Sequence, residues 1–222
     1  MKRNILLLFT FFACITVQGQ TPVRLVDLRS EHLDRPIGLD NPVPRLSWRM
    51  EDGRQGAVQT SWRIVVDEDS LNVVNGCGRM WDSGKNDSRN QLVAYAGKKL
   101  QPFTRYYWKV ICSDMEYKET ASPVSYFETG MMGIQHWQGA WIGDGKDIHY
   151  GPAPYFRKEF KTGKKVKSAR AYIAAAGLYE LYINGEKGGD HCLAPLYTRF
   201  DRRNLYVAYD VTSQLQNGDN AI

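Results

Sequence analysis

Apolar and polar positions alternate with a period of two through much of this chain. In residues 105–113, Tyr106, Trp108, Val110 and Cys112 fall on one side, and Arg105, Tyr107, Lys109 and Ser113 on the other. That spacing predicts a β-strand with one buried face and one wet face. Trp62, Ile64 and Val66 against Arg63 and Asp67 repeat the pattern. Runs rich in Val, Ile, Tyr, Trp and Phe recur at intervals of roughly 10 residues, each bounded by Gly, Pro, Asn or Asp. The candidate strands are residues 23–28, 45–50, 60–67, 91–95, 105–113 and 124–129, followed by 140–142, 155–160, 169–174, 179–184 and 204–210. Helical periodicity is nearly absent. The pattern therefore predicts an all-β chain in which sheets stack in pairs, because each sheet must bury one face. Trp48, Trp62 and Trp108 are expected in the core.

The turn residues divide the chain. Asn41-Pro42 and Val43-Pro44 hold the backbone extended before the strand that carries Trp48. Thr129, Gly130, Met131, Met132 and Gly133 form a glycine-flanked link, which places one β-sandwich in residues 22–130 and a second in residues 137–222. Trp137 and Trp141 flank this link and are candidates for packing the two domains together. Asn184-Gly185 predicts a tight hairpin, since both residues tolerate positive φ. A polar turn at residues 217–220 gives way to Ala221 and Ile222, which read as the start of a strand, so the second sandwich is expected to be incomplete.

The N-terminus changes the expected location. Met1, Lys2 and Arg3 precede an apolar run from Ile5 to Val17 and then Gly19, the order of a secretory signal peptide over residues 1–19. A membrane span needs about 20 apolar residues, more than this run supplies. The chain is expected to be exported to the periplasm or beyond; Cys14 as a lipid-bearing cysteine is the competing reading. Without the leader, 27 basic residues face 24 acidic ones, interspersed along the chain, so no nucleic-acid partner is expected. Cys77, Cys112 and Cys192 lack metal-site spacing, and a single bridge between two of them is left open.

Candidate chemistry is sparse. Glu31, Asp34, Asp40, Glu116 and Glu119 read as solvated surface, and His32, His136, His149 and His191 are scattered. No catalytic residue and no metal ligand is assigned. Sugar recognition is the more serious prospect, because a pyranose offers a CH face to an aromatic ring and hydroxyls to polar groups. Asn184, Asp190, Tyr197 and Arg199 lie in turn-rich sequence between strands and are the candidate carbohydrate-binding residues. Against that, Asn184 could serve only the turn, Asp190 a loop cap and Tyr197 packing.

Several motifs together resemble one family. Gly38-Leu39-Asp40-Asn41-Pro42-Val43-Pro44-Arg45-Leu46-Ser47-Trp48 is similar to the opening of bacterial α-L-rhamnosidases, glycoside hydrolase family 78. Trp81 to Lys85, Tyr106 to Val110 and Phe127 to Gly130 follow in that family's order, and Gly139 to Gly143, Phe156 to Phe160, Tyr179 to Gly185 and Tyr209 to Thr212 resemble its second N-terminal domain. The resemblance implies a fibronectin type III or immunoglobulin-like domain and then a jelly-roll-like one. It also implies an inverting glycosidase whose paired carboxylates, about 6.5–9.5 Å apart, sit on a helical barrel absent from this chain. The implied partners are that barrel and rhamnose-containing glycans. Related rhamnose-binding modules use calcium, but Arg199 stands where the family pattern carries an acid, so calcium is left open as a cofactor and assigned to no residue. The alternative reading is a free-standing carbohydrate-binding or adhesion module.

Overall fold

Residues 22–146, 149 and 151–222 are described by the computed structural model; the expected leader, residues 1–19, lies outside them. The first domain is built from β1 (Arg24–Ser30), β2 (Arg45–Glu51), β3 (Ser61–Asp67), a short helix α1 (Ser70–Val74), β4 (Trp81–Asp82), β5 (Leu92–Ala94), β6 (Arg105–Ser113), β7 (Glu119–Ala121) and β8 (Ser125–Glu128). One sheet runs β1-β2-β5; the other runs β4-β3-β6-β7, with β8 also paired to β6. β8 takes the first half of one β6 edge and β7 the second half, so β6 is the central strand.

The inward face of β6 carries Tyr106, Trp108, Val110 and Cys112, all buried. They meet Leu25, Leu46 and Trp48 from the opposite sheet, with Trp62, Ile64, Val66 and Phe127 completing the core. Trp48 Nε1 donates to the buried Gln59 Oε1 at 2.8 Å, which satisfies a polar atom that burial would otherwise penalise. The outward face of β6 is drier than alternation alone predicts. Lys109 is buried because α1 lies over this face, and its ammonium donates to the Val74 carbonyl at 2.9 Å, at the end of that helix. Asp67 is likewise buried, and Arg79 grips it through Nε and Nη2 at 3.0 Å each. That pairing holds its carboxylate well below the usual range against the opposing effect of burial.

The second domain contains β9 (Glu159–Thr162), β10 (Arg170–Ala174), β11 (Tyr182–Ile183), β12 (Glu186–Lys187), β13 (Tyr206–Asp210) and β14 (Gly218–Ala221), arranged as three antiparallel pairs: β10 with β13, β11 with β12 and β9 with β14. Its core is Leu181, Ile183, Tyr209 and Val211, with Ala171, Ile173 and Val207 packed alongside. Residues 140–142 form no strand, and Trp141 is exposed.

The two domains meet through polar and aromatic contacts. Glu128, at the end of β8, is gripped by Arg170 of β10 through Nε at 2.8 Å and Nη2 at 2.6 Å, and Arg105 of β6 binds the same carboxylate. Tyr206 of β13 donates to Asp40 Oδ1 at 2.8 Å and accepts from the Met131 amide at 3.1 Å. The Met132 amide also donates to Asp40 Oδ1, at 2.8 Å. Asp40 is therefore a junction residue rather than plain solvated surface, and Glu31 is similarly occupied by Arg45. The aromatics at the junction are Phe103, Tyr172 and Tyr206, with ring centroids 5.1 and 5.9 Å apart, in place of Trp141. Gly130 has no room for a side chain here: an added Cβ would sit 2.0 Å from Tyr206 Oη and 2.7 Å from Asp40 Oδ1. Among the described residues no helix is long and apolar enough to cross a membrane.

Candidate carbohydrate-recognition surface

The hairpin β11–β12 turns on Asn184 and Gly185, whose φ values of 51° and 84° suit a two-residue turn. The Asn184 side chain does more than turn the chain. Its Nδ2 donates to the Gln214 carbonyl at 2.8 Å and to Asn220 Oδ1 at 2.9 Å, and its Oδ1 accepts from the Ala221 amide at 2.8 Å. Asn184 thus ties the hairpin to β14 at the edge of an open hollow of about 400 Å³ that Arg157, Lys161 and Asp219 also line.

Asp190 projects fully into solvent beside His191, whose Nδ1 lies 3.7 Å from its carboxylate. The His191 ring stands edge-on to Tyr209 at 5.4 Å, and Tyr179 Oη donates to Tyr209 Oη at 3.1 Å. Burial and that neighbouring hydroxyl push the Tyr179 phenol upward, so it stays a neutral hydrogen-bonding group.

Tyr197 is 83% exposed and stands edge-on to Phe200 at 5.2 Å. Arg199 and Asp201 form a bidentate pair, Nε to Oδ1 and Nη2 to Oδ2, both 2.9 Å. The Arg199 carbonyl accepts from the Arg202 and Arg203 amides, at 2.8 and 2.9 Å, and Asn204 Nδ2 donates to the Phe200 carbonyl at 3.0 Å. The loop therefore holds its own shape and presents an aromatic face next to a polar pair. Tyr197 and Arg199 share this loop, whereas Asp190 sits with the Tyr209 cluster and Asn184 with β14.

A further polar group was not apparent from composition. Glu180 accepts from Lys187 Nζ at 2.7 Å and from Tyr182 Oη at 2.8 Å, and these hydrogen bonds hold its carboxyl below the usual range. The signal lies in the pairing: residues 180 and 182 share a face, and Tyr182 is in register with Lys187.

This surface offers exposed aromatic rings and paired hydrogen-bonding groups, which are the elements of sugar recognition. It offers poor terms to calcium, which takes six to eight oxygen ligands at roughly 2.3–2.6 Å. Asp201 is engaged by Arg199, Asp190 has His191 beside it, and the described residues contain no group of three or more His, Cys, Asp or Glu placed to hold a metal. Cys77, Cys112 and Cys192 are all free thiols.

Two family models match the chain. One, described as the Rha78A-like N-terminal immunoglobulin domain, matches residues 25–133, and the other, the alpha-L-rhamnosidase N-terminal domain, matches residues 164–222. An alpha-L-rhamnosidase of Formosa agariphila is 31% identical, in an alignment covering 99% of this chain and 26% of that protein. Among solved structures, alpha-L-rhamnosidase from Dictyoglumus thermophilum superposes with a TM-score of 0.82 at 37% identity, covering 89% of this chain and 24% of that one. The rhamnosidase from Aspergillus terreus gives a TM-score of 0.74 at 26% identity, covering 90% and 23%. The chain spans about a quarter of the length of these relatives.

Proposed function

Since the chain carries the N-terminal region of the α-L-rhamnosidase family, we propose that it serves as the exported, non-catalytic leading part of such a glycosidase. In this reading it supplies a rigid spacer and a carbohydrate-recognition surface to a catalytic domain that hydrolyses terminal α-L-rhamnosyl groups. The observation that carries the recognition role is the loop around Tyr197, where an exposed ring stands beside the bidentate Arg199–Asp201 pair. A ring exposed in this way costs solvation unless an apolar surface covers it, and the CH face of a pyranose is such a surface. The rigid-spacer role rests on the junction: Glu128 with Arg170, and Asp40 with Tyr206, tie the two domains by hydrogen bonds that are directional and charge-assisted. Export rests on the basic, apolar and small-residue order of residues 1–19.

The test is calorimetric titration of the chain with L-rhamnose, in calcium and in chelator, alongside release of nitrophenol from nitrophenyl α-L-rhamnoside. The expected result is binding without turnover, weakened by Tyr197→Ala. Absence of binding by folded protein would reduce the role to spacer, and turnover would refute the non-catalytic reading.

A further inference from the structure

The first domain holds a groove of about 440 Å³ between β1, the turn that follows it and the segment entering β8. Asp27, Arg29, Asp34 and Arg35 line it, with Pro123 and Val124 supplying apolar surface. Its volume falls in the range of small-molecule sites.

The backbone around the groove is unusual. The β1–β2 register breaks between Val26 and Arg29, so Asp27 and Leu28 together oppose a single position of β2. Such a bulge re-aims the side chains it carries. Asp27, Glu31, His32 and Arg35 all have positive φ, at 55°, 51°, 64° and 43°. Glu31 and His32 belong to a tight turn closed by Ser30 and Leu33, whose amides and carbonyls exchange bonds at 3.0 Å. Asp27 and Arg35 lie outside that turn, one on each side, and both line the groove. Left-handed backbone is strained for a non-glycine residue and concentrates where side chains are held for a ligand.

The lining has two guanidinium groups and two carboxylates. Arg29 Nε donates to Asp27 Oδ1 at 2.8 Å and Arg29 Nη1 to the His32 carbonyl at 3.2 Å; Arg35 binds Asp34 through Nε at 3.2 Å and Nη2 at 3.3 Å. The four charges cancel, so neither an anion nor a cation gains from the groove as a whole. Vicinal hydroxyls fit better, because each donates to a carboxylate and accepts from a guanidinium, while Pro123 and Val124 face the CH side of a ring.

From this geometry we infer that the groove is a binding site for a neutral sugar ring, separate from the Tyr197 loop of the second domain. The test is a titration of the isotopically labelled full chain with L-rhamnose and, separately, with D-galactose and sodium D-galacturonate, followed by amide resonances. At least one of the two neutral sugars shifts residues 27–35 and 123–125 saturably, with affinity in the millimolar range. Asp27→Gly combined with Arg35→Ala weakens that binding about tenfold or more. Glycine accepts the left-handed φ at position 27, so the variant keeps the bulge. Three results would overturn the site: no saturable shifts at these residues with either sugar, unchanged affinity in the double variant, or saturation by galacturonate alone. Shifts confined to residues 190–201 would support the second-domain surface while refuting this groove.

Discussion

Tyr206 Oη lies 2.8 Å from Asp40 Oδ1, joining positions 166 residues apart across the junction of the two domains. The same hydroxyl accepts the Met131 amide, so one phenol serves the link and both domains. Removing it leaves the Met131 amide without its acceptor, while Asp40 keeps only the Met132 amide. Tyr206→Phe is expected to lower stability by about 1–3 kcal/mol, read as a lower urea midpoint. A double-mutant cycle with Asp40→Ala should give a coupling near that of the hydrogen bond; strict additivity would mean that the two groups do not interact.

Gly130→Ala is a packing test of the same junction. A Cβ 2.0 Å from Tyr206 Oη forces the phenol or the backbone to move. Overpacking of this kind costs about 1–3 kcal/mol. Combining it with Tyr206→Phe should recover little, because Asp40 Oδ1 still crowds the site at 2.7 Å. Thermal unfolding of the three variants measures this.

Glu128 links junction stability to pH. Burial acts to raise its pKa, but hydrogen bonds from Arg170 and Arg105 outweigh burial and hold it below the ordinary value. A carboxyl with a depressed folded-state pKa contributes stability above its unfolded pKa, about 4.3, and loses it as pH falls through the folded value. The chain should therefore lose stability below about pH 4. Glu128→Gln should lose about 1–3 kcal/mol at neutral pH, because Arg170 loses one charged partner but keeps Asp210 at 2.9 Å, and should show a flatter acid limb in urea titrations at stepped pH.

Asn184 and Tyr197 should separate folding from recognition. Asn184→Ala removes three hydrogen bonds and a favourable left-handed residue, with an expected loss of about 2–3 kcal/mol. Asn184→Gly keeps the turn and should lose less. Tyr197→Ala should leave the unfolding midpoint within about 0.5 kcal/mol of the parent while weakening L-rhamnose binding; a large stability loss would mark Tyr197 as a packing residue.

Where the chain repeats over many residues, the pattern sufficed. The inward positions of β6, Tyr106, Trp108, Val110 and Cys112, recur every second residue, and the strand begins at Arg105 and ends at Ser113 as the spacing predicts. Asn184-Gly185 announced its hairpin because few residues tolerate that backbone. Short or non-local features left less trace. β14 is the sequence Gly-Asp-Asn-Ala, which carries no apolar alternation and is a strand because β9 offers an edge. α1 is a five-residue helix, too short for a helical period. Asp40 reads as an ordinary acid because its partner, Tyr206, lies in another domain, and the pairing of Glu128 with Arg170 crosses the same junction. Of the candidate sugar-binding residues, the loop position of Tyr197 followed from its turn-rich surroundings, while the commitment of Asn184 to β14 depends on contacts that no local motif encodes.

The pairing of β9 with β14 sets the order of events during synthesis. Glu159 is in register with Ala221, and Thr162 with Gly218, so this sheet joins positions near the start of the second domain to positions 56 to 62 residues later. On a ribosome the first domain has all its strands once Glu128 has emerged. The second must wait, with β9 unpaired, until residues 218–221 clear the exit tunnel. Long-range closure of this kind is slow because chain entropy is lost before contacts repay it. In that interval β9 is an open strand edge, the point at which the nascent chain is most exposed to pairing with a neighbour.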